Sequence, residues 1–314
     1  MPQFDKTQLW RRNINPHPGV SHVPDRRDRL PGGGVIAFLQ VFEKNDTRQG
    51  RRDRRVVDLR LRDAENGFRL LHRVPLCFDQ VGARAFEEEG VDFDFVAGTS
   101  VGSLVGALYA MGISAKRMIE IGSDLELQDI RDKTLLFSAS NPAKIEAVVR
   151  SVIGDVCFSE LKKPFTAVCV DLKTGAEVHL NQGSVARAVS ASCCVPGIFK
   201  PVIWEPWHLA DGGLKNTIPA DVARMMGADK VVSVDINSKR GHGTDSLKML
   251  DVLKATLRIC TAANAKFGIK NSDIVIFPDT AAYKATSKDG YQEMIEAGYR
   301  AATEAMEDIK GLFE

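Results

Sequence analysis

Residues 95–102 read Phe-Val-Ala-Gly-Thr-Ser-Val-Gly. The stretch predicts a buried strand, a one-residue corner at Ser100 and an apolar helix that runs to Met111. Its spacing fits Gly-x-Ser-x-Gly, the nucleophile elbow, in which a serine is held on a tight turn between strand and helix. Gly98 and Gly102 suit this turn because a Cβ atom on either residue would clash across it. The first turn of the helix would direct free backbone N–H groups toward an oxyanion at Ser100. A serine that merely caps the helix is the alternative interpretation.

A second motif ends in an aspartate followed by two glycines. Residues 207–213 read Trp-His-Leu-Ala-Asp-Gly-Gly, so Asp211 lies 111 residues after Ser100. An aspartate beside a serine can act as the general base that accepts the hydroxyl proton. Gly212 and Gly213 would let the backbone carry this carboxylate close to the serine. The alternative is a turn residue at the end of a strand.

At these two motifs the chain resembles the patatin-like phospholipases, a family of lipid acyl hydrolases. Further stretches resemble the family in the same order along the chain: residues 84–90, which read Arg-Ala-Phe-Glu-Glu-Glu-Gly, then residues 164–175, then residues 191–202. The resemblance runs from about residue 84 to the C-terminus.

The resemblance implies a Ser-Asp dyad that works through an acyl-enzyme, with Ser100 as nucleophile and Asp211 as general base. The remaining motif residues that it assigns to the site are Gly98, Thr99, Val101, Gly102, Gly212 and Gly213. It implies a lipid or another acyl ester as substrate, and with it a transient contact with a membrane surface. Phospholipids, lysophospholipids, glycerides and thioesters all remain open as substrates, and neither a metal nor a cofactor is expected.

Relatives carry a glycine-rich loop whose backbone N–H groups stabilise the oxyanion. The corresponding candidates here are Gly32, Gly33 and Gly34, which lie farther before Ser100 than the resemblance implies. A flexible turn is the alternative at these glycines. If these glycines form only a turn, a second hypothesis follows. The protein would then be a catalytically impaired relative that binds lipid or a partner protein because its oxyanion loop is displaced or missing.

A histidine could complete a different site, a Ser-His-Asp triad. In ordinary α/β-hydrolases the acid precedes the histidine along the chain, and Asp211 followed by His242 satisfies that order. His242 lies in a polar stretch, Lys-Arg-Gly-His-Gly, for which an exposed loop is the alternative interpretation. The triad therefore stays open beside the dyad.

The use of basic residues changes sharply near residue 84. Residues 1–84 hold 15 Arg and 2 Lys, whereas residues 85–314 hold 8 Arg and 17 Lys. The first segment also lacks a convincing periodicity. We therefore divide the chain into an anomalous Arg-rich segment, 1–84, which is either disordered or not a native fold element, and a patatin-like hydrolase domain, 85–314.

Composition is that of an ordinary globular enzyme. The 314 residues carry a formal net charge of +1, which gives no indication of a nucleic-acid partner. The first residues lack the apolar core of a signal peptide, so we expect a cytoplasmic location, with peripheral contact to a membrane left open. The six cysteines include no Cys-x-x-Cys pair; Cys169 is expected to be a buried thiol in a strand, and the adjacent Cys193 and Cys194 are expected to be core thiols. Nothing in the sequence determines the oligomeric state.

Beyond residue 84, strand and helix patterns alternate. Apolar runs predict strands at 93–97, 165–170, 202–209, 231–236 and 274–277. Helical patterns cover 141–152, 219–226, 247–265 and 292–312. Alternation of this kind predicts an α/β fold with three layers, α/β/α, around a central and mainly parallel sheet. The nucleophile elbow at Ser100 would lie at the carboxyl end of one of its strands.

Overall fold

The computed structural model describes residues 35–37, 75–128, 142–197, 199–237, 249–279 and 288–313. Its strands are β1 (Val35–Ala37), β2 (Val96–Thr99), β3 (Phe165–Asp171), β4 (Glu177–Leu180), β5 (Val202–Trp204), β6 (Trp207–Asp211), β7 (Val231–Val234) and β8 (Ile274–Ile276). Its α-helices are α1 (Pro75–Glu89), α2 (Val101–Ala110), α3 (Ala115–Gln128), α4 (Ala143–Ile153), α5 (Val185–Ser192), α6 (Ala220–Met226), α7 (Met249–Asn271), α8 (Lys288–Glu304) and α9 (Met306–Gly311). Two short 3₁₀ helices cover Phe158–Glu160 and Gly212–Leu214.

The eight described strands form one sheet. Strand β1 is paired in parallel with β2 on one side and with β7 on the other, and β7 is paired in parallel with β8. Strand β3 is parallel to β2, whereas β4 and β6 run antiparallel to β3. Strands β5 and β6 form a hairpin. The described sheet is therefore mainly parallel.

Both faces of this sheet are buried. Successive side chains of a strand point to opposite faces, and here they enter different apolar clusters. Val96 and Val232 belong to the larger cluster, whereas their neighbours Ala97 and Val231 belong to a second one. Helices α1, α2 and α5 supply the larger cluster, and α6 and α7 supply the second. Helical layers thus cover the sheet on both sides, and the predicted three-layer α/β/α fold is confirmed.

The boundary predicted between residues 84 and 85 does not separate elements of structure. Helix α1 begins at Pro75 and continues through the boundary to Glu89. Strand β1, which comes from the Arg-rich segment, lies between β2 and β7. The segment 1–84 therefore contributes both a strand and the start of a helix to the fold. The rest of that segment lies outside the described residues.

Several element ends differ from the sequence prediction. The single strand predicted at 202–209 is two strands, because the chain turns back at Glu205 and Pro206. The helix predicted to end near residue 265 continues to Asn271, and the last helix is divided near Ala305 into α8 and α9. None of the helices that the structure describes is both long enough and apolar enough to cross a membrane.

Candidate active site

The last residues of β2 and β6 meet along one edge of β3. Thr99, the last residue of β2, is paired with Val168, and Asp211, the last residue of β6, is paired with Cys169. Strand β4 pairs with both of these β3 residues, so β2 and β6 must share the other edge of β3. The two strands approach each other head to head along that edge. The residue after Thr99 is thereby placed beside Asp211.

Ser100 occupies the corner between β2 and α2. Its φ of 55° and ψ of −131° give it the only positive φ among the described residues other than glycine. Its side chain makes no capping hydrogen bond to α2, which excludes the simple helix cap. The Ser100 hydroxyl instead donates to Asp211 Oδ2 at 2.6 Å. The two residues singled out from the sequence are therefore in direct contact.

Gly98, the first glycine of the elbow, has no room for a side chain, as predicted from the sequence. A Cβ atom on Gly98 would lie 2.4 Å from the carbonyl oxygen of Gly102 and 2.7 Å from Ser103 Cα. These are backbone atoms of α2, which cannot move away without opening the turn. The close approach of the helix to the strand therefore requires glycine at position 98.

Asp211 is buried and held on both oxygens. Its side chain is 6 % exposed, and Oδ1 accepts the Gly213 N–H at 2.8 Å while Oδ2 accepts the Ser100 hydroxyl. Burial raises the pKa of Asp211 to about 6, against the lowering effect of these two hydrogen bonds. Gly212 is needed for this approach, since a Cβ there would lie 2.4 Å from the Val168 carbonyl oxygen. The carboxylate is fixed in orientation and is a stronger base than an exposed aspartate.

Two further serines hold the elbow main chain. The Ser192 hydroxyl, at the end of α5, accepts the Ser100 N–H at 2.9 Å and donates to the Val168 carbonyl at 2.6 Å. The Ser100 carbonyl accepts both the N–H and the hydroxyl of Ser103, at 2.8 and 2.6 Å. Val101 and Gly102 fill the first turn of α2, where N–H groups have no acceptor within the helix. Among the described residues, these two N–H groups are the candidate oxyanion donors.

Asn216 links the residues that adjoin Ser100 and Asp211 in the chain. Its carbonyl accepts the Thr99 hydroxyl at 2.8 Å, and its N–H donates to the Gly212 carbonyl at 2.9 Å. Its side-chain amide donates to Glu177 at 3.0 Å and to Asp221 at 2.8 Å. The end of β2 is thus tied to the turn that follows β6.

The remaining candidate residues from the sequence are a glycine cluster and one histidine. Gly32, Gly33 and Gly34 lie outside the described residues, as does His242, so the roles predicted for them stay predictions. The direct contact between Ser100 and Asp211 leaves no room for a histidine between them, which favours the dyad over a triad.

Three buried thiols surround the carboxylate. Burial raises the pKa of Cys169, Cys193 and Cys194, and the charge of Asp211 raises them further. Such thiols are poor nucleophiles, so they act as core side chains, as predicted from the sequence. In the described part of the chain, no group of three or more His, Cys, Asp or Glu side chains could hold a metal ion.

Two residues that matter to the site geometry were not identified from the sequence as such. Ser192 lies inside the stretch that resembles the family, but its bond to the elbow could not be inferred from one sequence. Asn216 follows the Asp-Gly-Gly motif closely, and only its spacing from Asp211 could have drawn attention to it. Ser192 binds main-chain atoms of Ser100 and Val168, and the carbonyl of Asn216 accepts the Thr99 hydroxyl, so both contact residues far away in the chain.

Comparisons with known proteins match the central part of the chain to one family. The family profile described as Patatin-like phospholipase matches residues 80–224. Patatin-like phospholipase domain-containing protein 6 of Homo sapiens is 34 % identical over 166 residues, which cover 50 % of this chain and 12 % of the human protein. An uncharacterized NTE family protein of Mycobacterium bovis is 30 % identical over 193 residues, 55 % of this chain and 52 % of that protein. The chain thus spans about half of the mycobacterial relative and a small part of the human one.

Among solved structures, the chain is similar to VipD from Legionella pneumophila. The TM-score is 0.51 at 12 % identity, and the match covers 74 % of this chain and 65 % of that one. At this identity the similarity concerns the fold alone. Residues 80–224, which contain both Ser100 and Asp211, belong to the patatin-like phospholipase family.

Proposed function

We propose that this protein is a serine lipid acyl hydrolase that uses a Ser100–Asp211 dyad. Membership of the patatin-like phospholipase family supports lipid hydrolysis in general. The proposal of a Ser100–Asp211 dyad rests on the 2.6 Å hydrogen bond from Ser100 Oγ to Asp211 Oδ2. It joins a nucleophile on a strained turn to a buried base, and this pairing is what nucleophilic catalysis requires.

Acylation begins with attack of Ser100 Oγ on the carbonyl carbon of an ester. As the new C–O bond forms, the hydroxyl proton passes to Asp211 Oδ2, its existing hydrogen-bond acceptor. The Gly213 N–H keeps the carboxylate oriented through Oδ1. When the tetrahedral intermediate collapses, the proton passes from Asp211 to the departing alcohol and leaves the acyl group on Ser100.

The negative charge on the carbonyl oxygen needs donors during this step. The N–H groups of Val101 and Gly102 lie at the positive end of the α2 dipole, next to the attacking oxygen. Removing one oxyanion donor from a serine hydrolase costs on the order of 10²- to 10³-fold in rate. Gly32, Gly33 and Gly34 remain the candidates for a second set of donors.

Deacylation repeats these steps with water as the nucleophile. Asp211 accepts a proton from the water as it attacks the acyl carbon, and returns it to Ser100 Oγ as the acid leaves. Asp211 must be ionised at the start of each half-reaction. Since its pKa is raised to about 6, kcat/KM should fall as the pH drops below about 6.

The proposal is tested by ester hydrolysis with purified protein. We expect the wild type to hydrolyse p-nitrophenyl butyrate, and Ser100→Ala to lose roughly 10³-fold or more in kcat while keeping its circular dichroism spectrum. Ser159→Ala, which changes an exposed serine, is the matched control and should retain wild-type rates. Equal rates in Ser100→Ala and the wild type would show that Ser100 is not the nucleophile.

A further inference from the structure

Helix α7 exposes an apolar stripe along its length. Val252, Ile259 and Phe267 are 40, 55 and 52 % exposed, and they follow one another at intervals of seven and eight residues. Such intervals place side chains on one face of an α-helix, and Thr256 and Ala263, both exposed, lie between them on that face. The stripe from Val252 to Phe267 is about 22 Å long at 1.5 Å per residue.

The opposite face of α7 belongs to the core. Ala255 and Ala265 are buried, and a Cβ on Gly268 would lie 2.1 Å from the Ile218 carbonyl oxygen. The helix is therefore pressed closely against the domain along this side. Its apolar stripe faces away from the core, so the apolar clusters of the described residues do not include it.

The same helix is bonded to the segment that follows Asp211. The Thr217 hydroxyl donates to the Thr261 carbonyl at 3.0 Å, and Asn264 Nδ2 donates to the Leu214 carbonyl at 2.7 Å. A Cβ on Gly213 would lie 3.4 Å from Thr261 Cγ2. Because α7 connects the parallel strands β7 and β8, it begins at the carboxyl edge of the sheet, where the dyad lies. A surface that contacts the stripe would therefore be separated from the segment that follows Asp211 only by α7.

The charge of α7 is strongly positive. Its sequence, MLDVLKATLRICTAANAKFGIKN, holds four Lys or Arg residues and one Asp, a net charge of +3, whereas the whole chain has +1. Lys266 and Lys270 are exposed next to the stripe. An apolar face bordered by basic residues is typical of helices that lie in the interface of a membrane with anionic lipids. The charge fits anionic headgroups, and the stripe fits the acyl region beneath them.

We propose that the exposed face of α7 docks the protein on an anionic lipid surface. The stripe enters the interface with the helix parallel to the membrane plane, and the lysines contact the headgroups. The site for lipid esters is then held at the surface from which its substrate is taken. This inference rests on the proposed lipid hydrolase function for its biological meaning, but membrane binding itself can be measured without catalysis.

The test is co-sedimentation of the full chain with lipid vesicles, in a Ser100→Ala background that prevents hydrolysis. We expect binding to phosphatidylcholine vesicles that contain phosphatidylglycerol. The double variant Ile259→Ser/Phe267→Ser should bind these vesicles about tenfold or more weakly. The variant Lys266→Gln/Lys270→Gln should lose the preference for phosphatidylglycerol over phosphatidylcholine alone.

Matched controls separate this surface from general hydrophobicity. Ile203 and Phe313 are exposed to a similar degree, 47 and 44 %, outside α7, so Ile203→Ser/Phe313→Ser should bind as the parent does. Unchanged binding in the Ile259/Phe267 variant, or no binding by the parent, would overturn the proposal. So would light scattering that gives a dimer for the parent and a monomer for the variant, since the face would then join two copies.

Hydrolysis of soluble p-nitrophenyl butyrate separates the proposed hydrolase function from the proposed docking surface on α7. With Ser100 intact, the Ile259/Phe267 variant should hydrolyse this ester at the wild-type rate, because the stripe does not contact the dyad. A wild type that binds vesicles but does not hydrolyse the ester would contradict the proposed function and leave the docking surface supported.

Discussion

Ser100 has a backbone conformation that residues with a side chain rarely adopt. A strained φ, ψ pair of this kind costs on the order of 1–3 kcal/mol and persists only where surrounding contacts hold it. Those contacts are present here: Ser192 binds the Ser100 N–H, and Ser103 binds its carbonyl. The strain lifts the hydroxyl out of the capping position and toward Asp211. Such local strain is common at functional sites and is consistent with a nucleophile.

Gly98→Ala tests whether the elbow depends on this close approach. The added Cβ would overlap the backbone of Gly102 at 2.4 Å, which no side-chain rotation can relieve. We expect a loss of roughly 3 kcal/mol or more in the free energy of unfolding, measured by urea denaturation.

The matched control for this change is Gly311→Ala, at the end of α9. Nothing lies within 4 Å of a Cβ at Gly311, so alanine should change stability by about 1 kcal/mol or less. Similar losses in the two variants would contradict the steric account of the elbow.

Asp211→Asn should increase stability while it removes the base. In the unfolded chain the carboxyl ionises near 3.8, whereas burial raises its pKa to about 6 in the folded protein. The folded state then binds the proton more tightly, so the wild type loses stability as pH rises from about 4 to about 6. Asparagine does not ionise and can still accept from Gly213 and donate to Ser100. Above pH 6 we expect the variant to be more stable by up to about 3 kcal/mol, with the difference vanishing near pH 3.

Denaturation of both proteins across this pH range measures the effect, and ester hydrolysis measures the accompanying loss of activity. A stability difference that does not change with pH would show that Asp211 does not ionise as described. An unchanged kcat in Asp211→Asn would contradict its assignment as general base.

The motifs at residue scale could be predicted because they are local. A glycine two positions before a serine, and another two after it, reflects contacts within one turn. Ser192 and Asn216 depend on contacts across 92 and 117 residues. Such contacts form only when the sheet has brought distant strands together, so one sequence contains little trace of them.

Element geometry at the site is set by β3. Because β4 occupies one edge of β3, the ends of β2 and β6 are forced onto the other. The sequence predicted strands at these positions but not their order or register. Register depends on which apolar faces meet, and several strands here have equivalent patterns on both faces.

Ser192→Ala tests the contribution of α5 to the elbow. The change leaves the Ser100 N–H and the Val168 carbonyl without their partner in a buried position. We expect a loss of about 1–3 kcal/mol in stability together with a reduced kcat, since the nucleophile loses one of its backbone restraints.

Ser190→Ala is the control on the same helix. Ser190 is equally buried and donates to the Pro142 carbonyl, away from the dyad. It should cost similar stability without changing kcat, as measured by urea denaturation and ester hydrolysis. Equal effects of the two variants on kcat would mean that Ser192 acts only through overall stability.

The ends of several strands and helices were predicted incorrectly because turns between them were not recognised. The apolar pattern over 202–209 continues through a hairpin, because Trp204 and Trp207 flank the turn and hide it. The split between α8 and α9 near Ala305 carries no glycine or proline signal. Helix and strand type were predicted correctly in these regions, whereas their ends depend on packing.

At the scale of the whole molecule, the described pieces of the Arg-rich segment, residues 35–37 and 75–84, belong to the fold. Ile36 of β1 is paired with Val96 on one side and Val232 on the other. The arginine-rich composition of the segment gave no such expectation, although residues 35–42, which read Val-Ile-Ala-Phe-Leu-Gln-Val-Phe, form an apolar run. Its neighbours in the sheet, β2 and β7, supply the pairing that stabilises it.

Ile36→Pro tests the place of β1 in the sheet. Proline cannot donate to a ladder and is excluded from central strands, so we expect a loss of roughly 3 kcal/mol or more, or failure to fold. Ile203→Pro is the comparison, because β5 pairs only with β6 among the described strands and should tolerate the change better. Equal stability of Ile36→Pro and the wild type, by urea denaturation, would contradict a central β1.

The central claim is that Ser100 is a nucleophile activated by Asp211, and covalent labelling tests it most directly. The purified chain is treated with a fluorophosphonate, and adducts are counted by intact mass. We predict one adduct on the wild type, none on Ser100→Ala and a slower reaction for Asp211→Asn. A folded wild type that forms no adduct, or an adduct that persists in Ser100→Ala, would contradict the claim.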